Sequence, residues 1–375
     1  MGHWTFLAVT VVITALAFDF TNGFHDTATA MAAPIATGAL SPKMAVTISG
    51  VLNLVGAFLS TEVAKTISGG IVDDSLVTPT MIFAGLVGAI TWNLLTWLVG
   101  LPSSSSHALF GGLIGAVLVG AGTGAVNFDT VVEKILVPAV ASPVLAGVVA
   151  LIATFLAYTI TRRGREREVD RGFRLGQVAS ASLLSLAHGT NDAQKTMGVI
   201  TLTLISVGVL KPGSGPPVWV IASAGLAIAL GTYVGGWRII RTMGKGLTDI
   251  RSPQGFAAGT SAATVILASS HLGFALSTTH VSSGGILGAG LGRRLAEVRW
   301  SIAGRMALAW VFTLPAAALV GGVSAAVAKQ GTPGIIVICA VAIAIAVAAY
   351  ALSRRNPVDA ANVTTAETAP VLTAA

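Results

Sequence analysis

Twelve apolar stretches run along the chain, near residues 4–20, 24–40, 44–66, 80–100, 101–122, 137–160, 175–210, 217–237, 254–275, 276–292, 301–327 and 333–353. Several have the ~20 residues a helix needs to cross a ~30 Å hydrocarbon core. The pattern therefore predicts an all-α polytopic membrane protein with about 10–12 membrane segments. Two stretches do not fit one straight crossing. Residues 4–40 are too long, and Asp19 and Asp26 interrupt them. Residues 101–122 open with Pro102 and the serines Ser103 to Ser106, which predicts a broken or re-entrant helix.

Composition narrows the class. Of 375 residues, 54% are hydrophobic and 10% charged, against about 25% charged in an average soluble domain. A soluble enzyme, a disordered chain and a coiled coil are excluded. The 44 glycines suit a bundle whose helices approach closely. The single cysteine, Cys339, excludes a disulfide and a Cys-rich metal site. The net charge of +7 is expected in cytoplasmic loops. Without aromatic interleaving, it does not read as a nucleic-acid surface. No basic region precedes residues 4–18, so a cleavable leader is not expected. The chain is expected in the cell (inner) membrane as a multi-pass protein.

Charge also orients the segments. Residues 162–174 (RRGREREVDRGFR) carry the densest basic cluster and are expected inside, as are Arg238 to Arg251, Arg293 to Arg305 and Arg354–Arg355. The loops 67–79, with Asp73 and Asp74, and 328–332 read as external. The first half then begins outside and ends inside, and the second does the reverse.

The halves are also similar. NGFHDTATAM (22–31) aligns with HGTNDAQKTM (188–197), setting Asp26 on Asp192. SSHALFGGLIGA (105–116) aligns with TTHVSSGGILGA (278–289), setting His107 on His280. Two motif pairs in one order at nearly constant offset, with opposite orientations, predict an inverted-topology repeat transporter. Its expected parts are a first repeat over 1–160, a basic cytoplasmic loop over 161–174 and a second repeat over 175–328. An additional helix at 333–353 and a disordered tail at 356–375 complete it.

Asp26 and Asp192 sit inside apolar segments, where an ionised carboxylate costs several kcal/mol unless paired or hydrated. They read either as coupling-cation or proton sites or as helix caps. Asp19, two turns earlier, has no counterpart because position 185 is serine; it reads equally as a cap or a proton site. Around the two aspartates, Asn22 and His25 in the first motif exchange places with His188 and Asn191 in the second. Amide and carboxylate oxygens suit a hard cation such as sodium, and imidazoles suit proton transfer near neutral pH. HExxH and cysteine pairs are absent, so no structural metal is expected.

LPSSSSH (101–107) and LSTTH (276–280) set hydroxyls at the start of glycine-rich helices. The free N–H groups there, at the positive end of the dipole, form an anion site; the bland alternative is Ser/Thr packing between helices. Gln194 and Lys195 are further candidate anion contacts, although Lys195 could simply pair with an aspartate. There is no GxxxxGK[ST] loop for ATP hydrolysis. A Ser105–His107–Asp26 hydrolase would lack a nucleophile elbow. No enzyme, catalytic residue or cofactor is expected.

NGFHDTATA, AHGTNDAQKTMG, WNLLTWLVGLPSSSSH and STTH together resemble the inorganic phosphate transporter (Pit) family, its bacterial low-affinity members most closely, from about residue 10 to 325. The resemblance implies a cation-coupled phosphate symporter. It sets Asn22, Asp26, Asn191 and Asp192 in the ion- and substrate-binding helices, and Ser104, Ser105, Ser106, Thr278 and Thr279 at hairpin tips that hold phosphate. Two residues depart from the family pattern: Thr29 and His25 stand where asparagine is common. His25 turns the expectation from sodium to proton coupling, of phosphate or a metal–phosphate complex. Sodium-coupled phosphate symport and a sulfate permease of the same family are the alternatives. The implied partners are inorganic phosphate, a coupling proton or sodium ion and the bilayer, with a homodimer as the assembly many such carriers adopt.

Overall fold

The computed structural model describes residues 5–293 and 298–364. The elements are α1 (Phe6–Ala36), α2 (Pro42–Gly56), α3 (Glu62–Gly69), α4 (Pro79–Leu98), α5 (Ser105–Ala121), α6 (Phe128–Val131) and α7 (Val137–Thr161). They continue as α8 (Glu166–Ser206), α9 (Val218–Val234), α10 (Trp237–Arg241), α11 (Ser252–His271), α12 (Thr278–Arg293), α13 (Trp300–Ala328) and α14 (Thr332–Ser353). Among the described residues there is no β-strand, only the isolated bridges Val72–Val126 and Thr248–Val298.

Among the described residues, five helices could cross a membrane by length and composition, or six if the 62° bend between α9 and α10 lies within one span. Other apolar stretches form shorter helices, such as the 17-residue α5 and 16-residue α12. Within the stretch 4–40, too long on paper for one crossing, Phe6–Ala36 form the single 31-residue helix α1, which contains Asp19, Asp26 and Pro34. The basic stretch 161–174 is not a loop throughout. Turn residues follow Thr161, and α8 begins at Glu166, where an Arg174–Asp170 ion pair of 2.8 Å at i,i+4 spacing supports the helix. The start of the expected disordered tail is docked. Arg238 donates to the carbonyls of Ser353 (2.9 Å) and Asn356 (2.6 Å), and Arg241 donates to that of Asn362 (2.8 Å). Residues 365–375 of that tail, and part of the basic segment 293–305, lie outside the described residues.

Packing is arranged in pairs. α1 packs on α9 as α8 packs on α2, α4 packs on α5 as α11 packs on α12, and α5 packs on α13 as α12 packs on α7. α13 also lies on α4 as α7 lies on α11. Exchanging α1 with α8, α2 with α9, α4 with α11, α5 with α12 and α7 with α13 therefore preserves these neighbours. The closest approaches follow the same exchange. A Cβ at Gly23 would overlap the Ile228 carbonyl on α9, and one at Gly189 would overlap the Asn53 carbonyl on α2. Only glycine lets these backbones meet.

The shell is apolar outward. Val140, Phe155, Phe312, Ile343 and Val347 on α7, α13 and α14 are exposed, as lipid contact requires. The interior is the reverse. Asp26, His188, Asp192 and Lys195 are all buried in it.

Candidate functional site

The two broken segments are built alike. Gly100 follows α4 at φ +67°, and Gly273 follows α11 at φ +73°. Both values favour glycine, and the two positions are separated by the same 173 residues as His107 and His280. After each turn a short irregular stretch leads to a capping serine. Ser104 Oγ accepts the His107 N–H (3.1 Å) and Ser277 Oγ accepts the His280 N–H (3.2 Å). The Trp310 indole donates to the Pro102 carbonyl (3.1 Å), holding the first stretch against α13. The starts of α5 and α12 are thus fixed inside the molecule, with their remaining first-turn N–H groups unpaired within the helix.

Against these starts lie the middles of α1 and α8. Asp26 Oδ2 accepts from Ser105 Oγ (2.6 Å), and its Oδ1 accepts from Thr279 Oγ1 (3.1 Å) and lies 2.6 Å from His25 Nδ1. Asp192 Oδ2 accepts from Thr278 Oγ1 (3.1 Å) and lies 3.3 Å from His188 Nε2. Lys195 Nζ is paired with Asp192 Oδ1 and donates to Ser106 Oγ (2.6 Å) and the Leu276 carbonyl (2.9 Å). Ser105 and Thr278, at matching positions, each serve the aspartate of their own half. Thr279 crosses to the other.

The aspartates are not caps, because each lies deep within a continuous helix. Ligand atoms of Asp26, His188 and Asp192 lie within 4.8 Å of one another. These side chains could share one cation. His107 and His280 meet behind the tips with ring centroids 4.7 Å apart, and His280 stacks on Trp310 at 4.2 Å.

Other sequence-selected residues fall elsewhere. Gln194 Oε1 accepts the backbone N–H groups of Val63 (2.8 Å) and Ala64 (3.2 Å), and its amide nitrogen donates to the Thr190 carbonyl (2.5 Å). It caps α3, with its polar atoms turned away from both helix starts. Asn191 points at α11, donating to Ser270 Oγ (2.8 Å) and the Phe274 carbonyl (3.3 Å). Ser104 is engaged as a cap. Asn22 is buried on the Asp19 side of α1, and neither amide atom has a hydrogen-bond partner among the described residues. Thr29 donates back to the Asp26 carbonyl (2.7 Å) and borders a cavity of about 10 Å³.

Several supporting residues, Ser103 of the serine run apart, carried no sequence signal. Asn53 Oδ1 lies 3.1 Å from His188 Nδ1 and its amide donates to Thr232 Oγ1 (2.7 Å). Thr96 and Ser103 lie 3.2 and 3.4 Å from His25 Nε2. Ser277, aligned with Ser104, was legible from the repeat.

An apolar helical shell around a buried, charged and hydroxyl-rich centre defines an integral membrane transport protein. Comparison with known proteins gives the family. The phosphate transporter family model matches residues 22–169 and 159–321. The chain is 57% identical over 366 residues to a probable low-affinity inorganic phosphate transporter of Mycobacterium tuberculosis, covering 97% of this chain and 88% of that protein. It is 42% identical over 320 residues to a protein of the same description from Bacillus subtilis, covering 85% and 96%. A solved structure, "The sodium-dependent phosphate transporter", shares the fold with a TM-score of 0.78 at 23% identity, over 87% of this chain and 100% of that one. The chain belongs to the phosphate transporter family, whose members are transporters and not enzymes.

Proposed function

We propose that this protein is a proton-coupled symporter that imports inorganic phosphate across the inner membrane. One observation carries the reading. The hydroxyls best suited to hold phosphate, those of Ser105, Thr278 and Thr279, are donated to the carboxylates of Asp26 and Asp192. Phosphate and ionised carboxylates then compete for the same donors. Phosphate beside two anionic aspartates would also be repelled. A cation arriving at the aspartates removes both obstacles: it neutralises the charge and releases the hydroxyls. Phosphate then gains those hydroxyls, the first-turn N–H groups of α5 and α12 and the positive ends of their dipoles. Coupling follows because neither ion is well held without the other. Lys195, bound to Asp192 and to Ser106, joins the two kinds of site and belongs to the proposed phosphate pocket together with Ser104 and Ser106.

The reading takes the two halves as inverted repeats of 10–12 segments. The exchangeable packing supports this, as does the charge at the two isolated bridges. Asp73 and Asp74 flank the Val72–Val126 bridge, whereas Lys245, Arg251 and Arg299 outnumber Asp249 beside Thr248–Val298. Equivalent loops of opposite charge suit opposite faces of a membrane. Asp26 and His25 in the first half, with Asp192 and His188 in the second, serve the coupling ion; Asn22 and Asn191 take the outer positions. No cofactor is needed.

The proton is favoured over sodium because imidazoles contact both aspartates, His25 on Asp26 and His188 near Asp192. The solved neighbour is named sodium-dependent, and sodium coupling is the second candidate for the ion. For the cargo, the clustering of Asp26, His188 and Asp192 supports a metal–phosphate complex whose divalent ion these ligands would grip. Asp192→Asn is expected to abolish phosphate uptake while leaving insertion intact, and full uptake by that variant would sink the proposal. Arsenate, but not sulfate, is expected to compete with phosphate; the reverse would indicate a sulfate permease.

A further inference from the structure

Asp19 is buried in the middle of α1 and takes no part in the arrangement above. Lying thirteen residues into a 31-residue helix, it caps nothing. Both of its carboxylate oxygens lack a hydrogen-bond partner among the described residues. So do the amide of Asn22, one turn further on, and the hydroxyl of Thr196 on α8, and all three side chains are fully buried. Asn22 and Thr196 lie close enough to the Asp19 carboxyl to interact with it. The nearest charges are Asp192 and Lys195 on α8, and these are committed to each other. On its own helix the next charged group is Asp26, two turns away.

A buried carboxylate with no counter-cation of its own is costly. The groups around Asp19 complete a carboxylic acid instead. Its O–H can be given to Asn22 Oδ1, while its carbonyl oxygen can take the Thr196 hydroxyl or the Asn22 amide. The lack of a counterpart supports a separate role, because the matching position in the second half is Ser185, which is hydrogen-bonded to Ser49 at 2.9 Å. The site is one-sided, as a single added proton requires.

We infer that Asp19, with Asn22 and Thr196, is a proton-carrying site for transport, distinct from the Asp26 and Asp192 sites. The inference rests on the proton-coupled reading above. In the loaded carrier the proton sits on the Asp19 carboxyl and is held by Asn22 and Thr196. Its release requires water or a base to reach that carboxyl, so release is tied to the conformation that opens the centre. Asp19 then bears a charge that must be neutralised before the centre closes again.

The test uses the full chain reconstituted in lipid vesicles and separates two reactions. Exchange of labelled for unlabelled phosphate needs no net proton movement, whereas accumulation driven by an imposed proton gradient does. Asp19→Asn keeps the shape of the neutral acid. It is expected to retain exchange within about twofold of the wild type and to lose gradient-driven accumulation by about tenfold or more, while Asp19→Glu retains accumulation. Asp19→Asn accumulating as the wild type does would overturn the inference. So would parallel loss of exchange and accumulation in well-folded Asp19→Asn and Asp19→Glu carriers, which would make Asp19 structural. If Asp19→Asn fails to fold, Thr196→Val replaces it. That variant is expected to shift the pH midpoint of uptake by about half a unit, and an unchanged midpoint overturns the inference. Absence of proton-driven uptake in the wild type would instead refute the coupling reading itself.

Discussion

Lys195 offers the sharpest test of how the centre is held together. Its ammonium group is fully buried, is paired with Asp192 and donates to Ser106 Oγ (2.6 Å) and the Leu276 carbonyl (2.9 Å). Lys195→Met keeps much of the side-chain volume but leaves the Asp192 carboxylate without its cation. Removing one partner of a buried ion pair costs about 3–5 kcal/mol, because the remaining charge is left uncompensated. Asp192 retains Thr278 and the nearby His188, so a value toward the lower end of that range is expected. Adding Asp192→Asn removes the stranded charge, and the double variant should recover most of the loss. The assay is unfolding of the purified carrier in detergent, for the wild type, both single variants and the double. The reasoning is refuted if Lys195→Met is as stable as the wild type, or if the double variant is no more stable than Lys195→Met. The double variant should still be unable to take up phosphate, which separates folding from transport.

Other perturbations address single contacts. Ser105→Ala and Thr278→Val each remove a donor that phosphate is proposed to take over. Since a hydrogen bond to a charged group contributes about 1.5–3 kcal/mol, each should raise the apparent KM for phosphate by about tenfold or more, as measured by initial uptake rates. Gln194→Leu should lower thermal stability, because it uncaps α3, without changing the KM of the carrier that inserts. Gly23→Ala and Gly189→Ala should each destabilise the protein by about 1–3 kcal/mol in detergent unfolding, because the new methyl meets a backbone carbonyl. Ser75→Ala should raise the titration of the exposed Asp73 toward the ordinary carboxylate value of about 3.9. The Ser75 hydroxyl (2.6 Å) and N–H (3.0 Å) hold that carboxyl below its usual range. Their stabilising effect is present at neutral pH and lost on acidification through the lowered value, so uptake at neutral pH should be unaffected.

Much of the site was legible because the duplication writes it twice. Asp26 and Asp192, and Ser105 and Thr278, were selected from motif pairs and Lys195 from its place just after Asp192, and the fold brings them into one buried cluster. Gln194 was selected by its nearness to Asp192, yet two residues along a helix turn a side chain by about 200°, and it caps α3 instead. Asn53, Thr232 and Thr96 were invisible because their partners lie far along the chain: Asn53 meets Thr232 on another helix, and Thr96 meets His25. The continuity of α1 was hidden for a different reason. Charged residues within an apolar run look like interruptions, but a helix satisfies its own backbone and can carry Asp19 and Asp26 wherever the surroundings accommodate them.

The central claim is that proton entry frees the hydroxyls that hold phosphate. It is tested most directly by uptake of labelled phosphate into vesicles containing the purified carrier, sodium-free, acidic outside and alkaline inside. Accumulation above equilibrium, collapsed by a protonophore, is expected. Accumulation only with an inward sodium gradient, and none with the proton gradient alone, would contradict it.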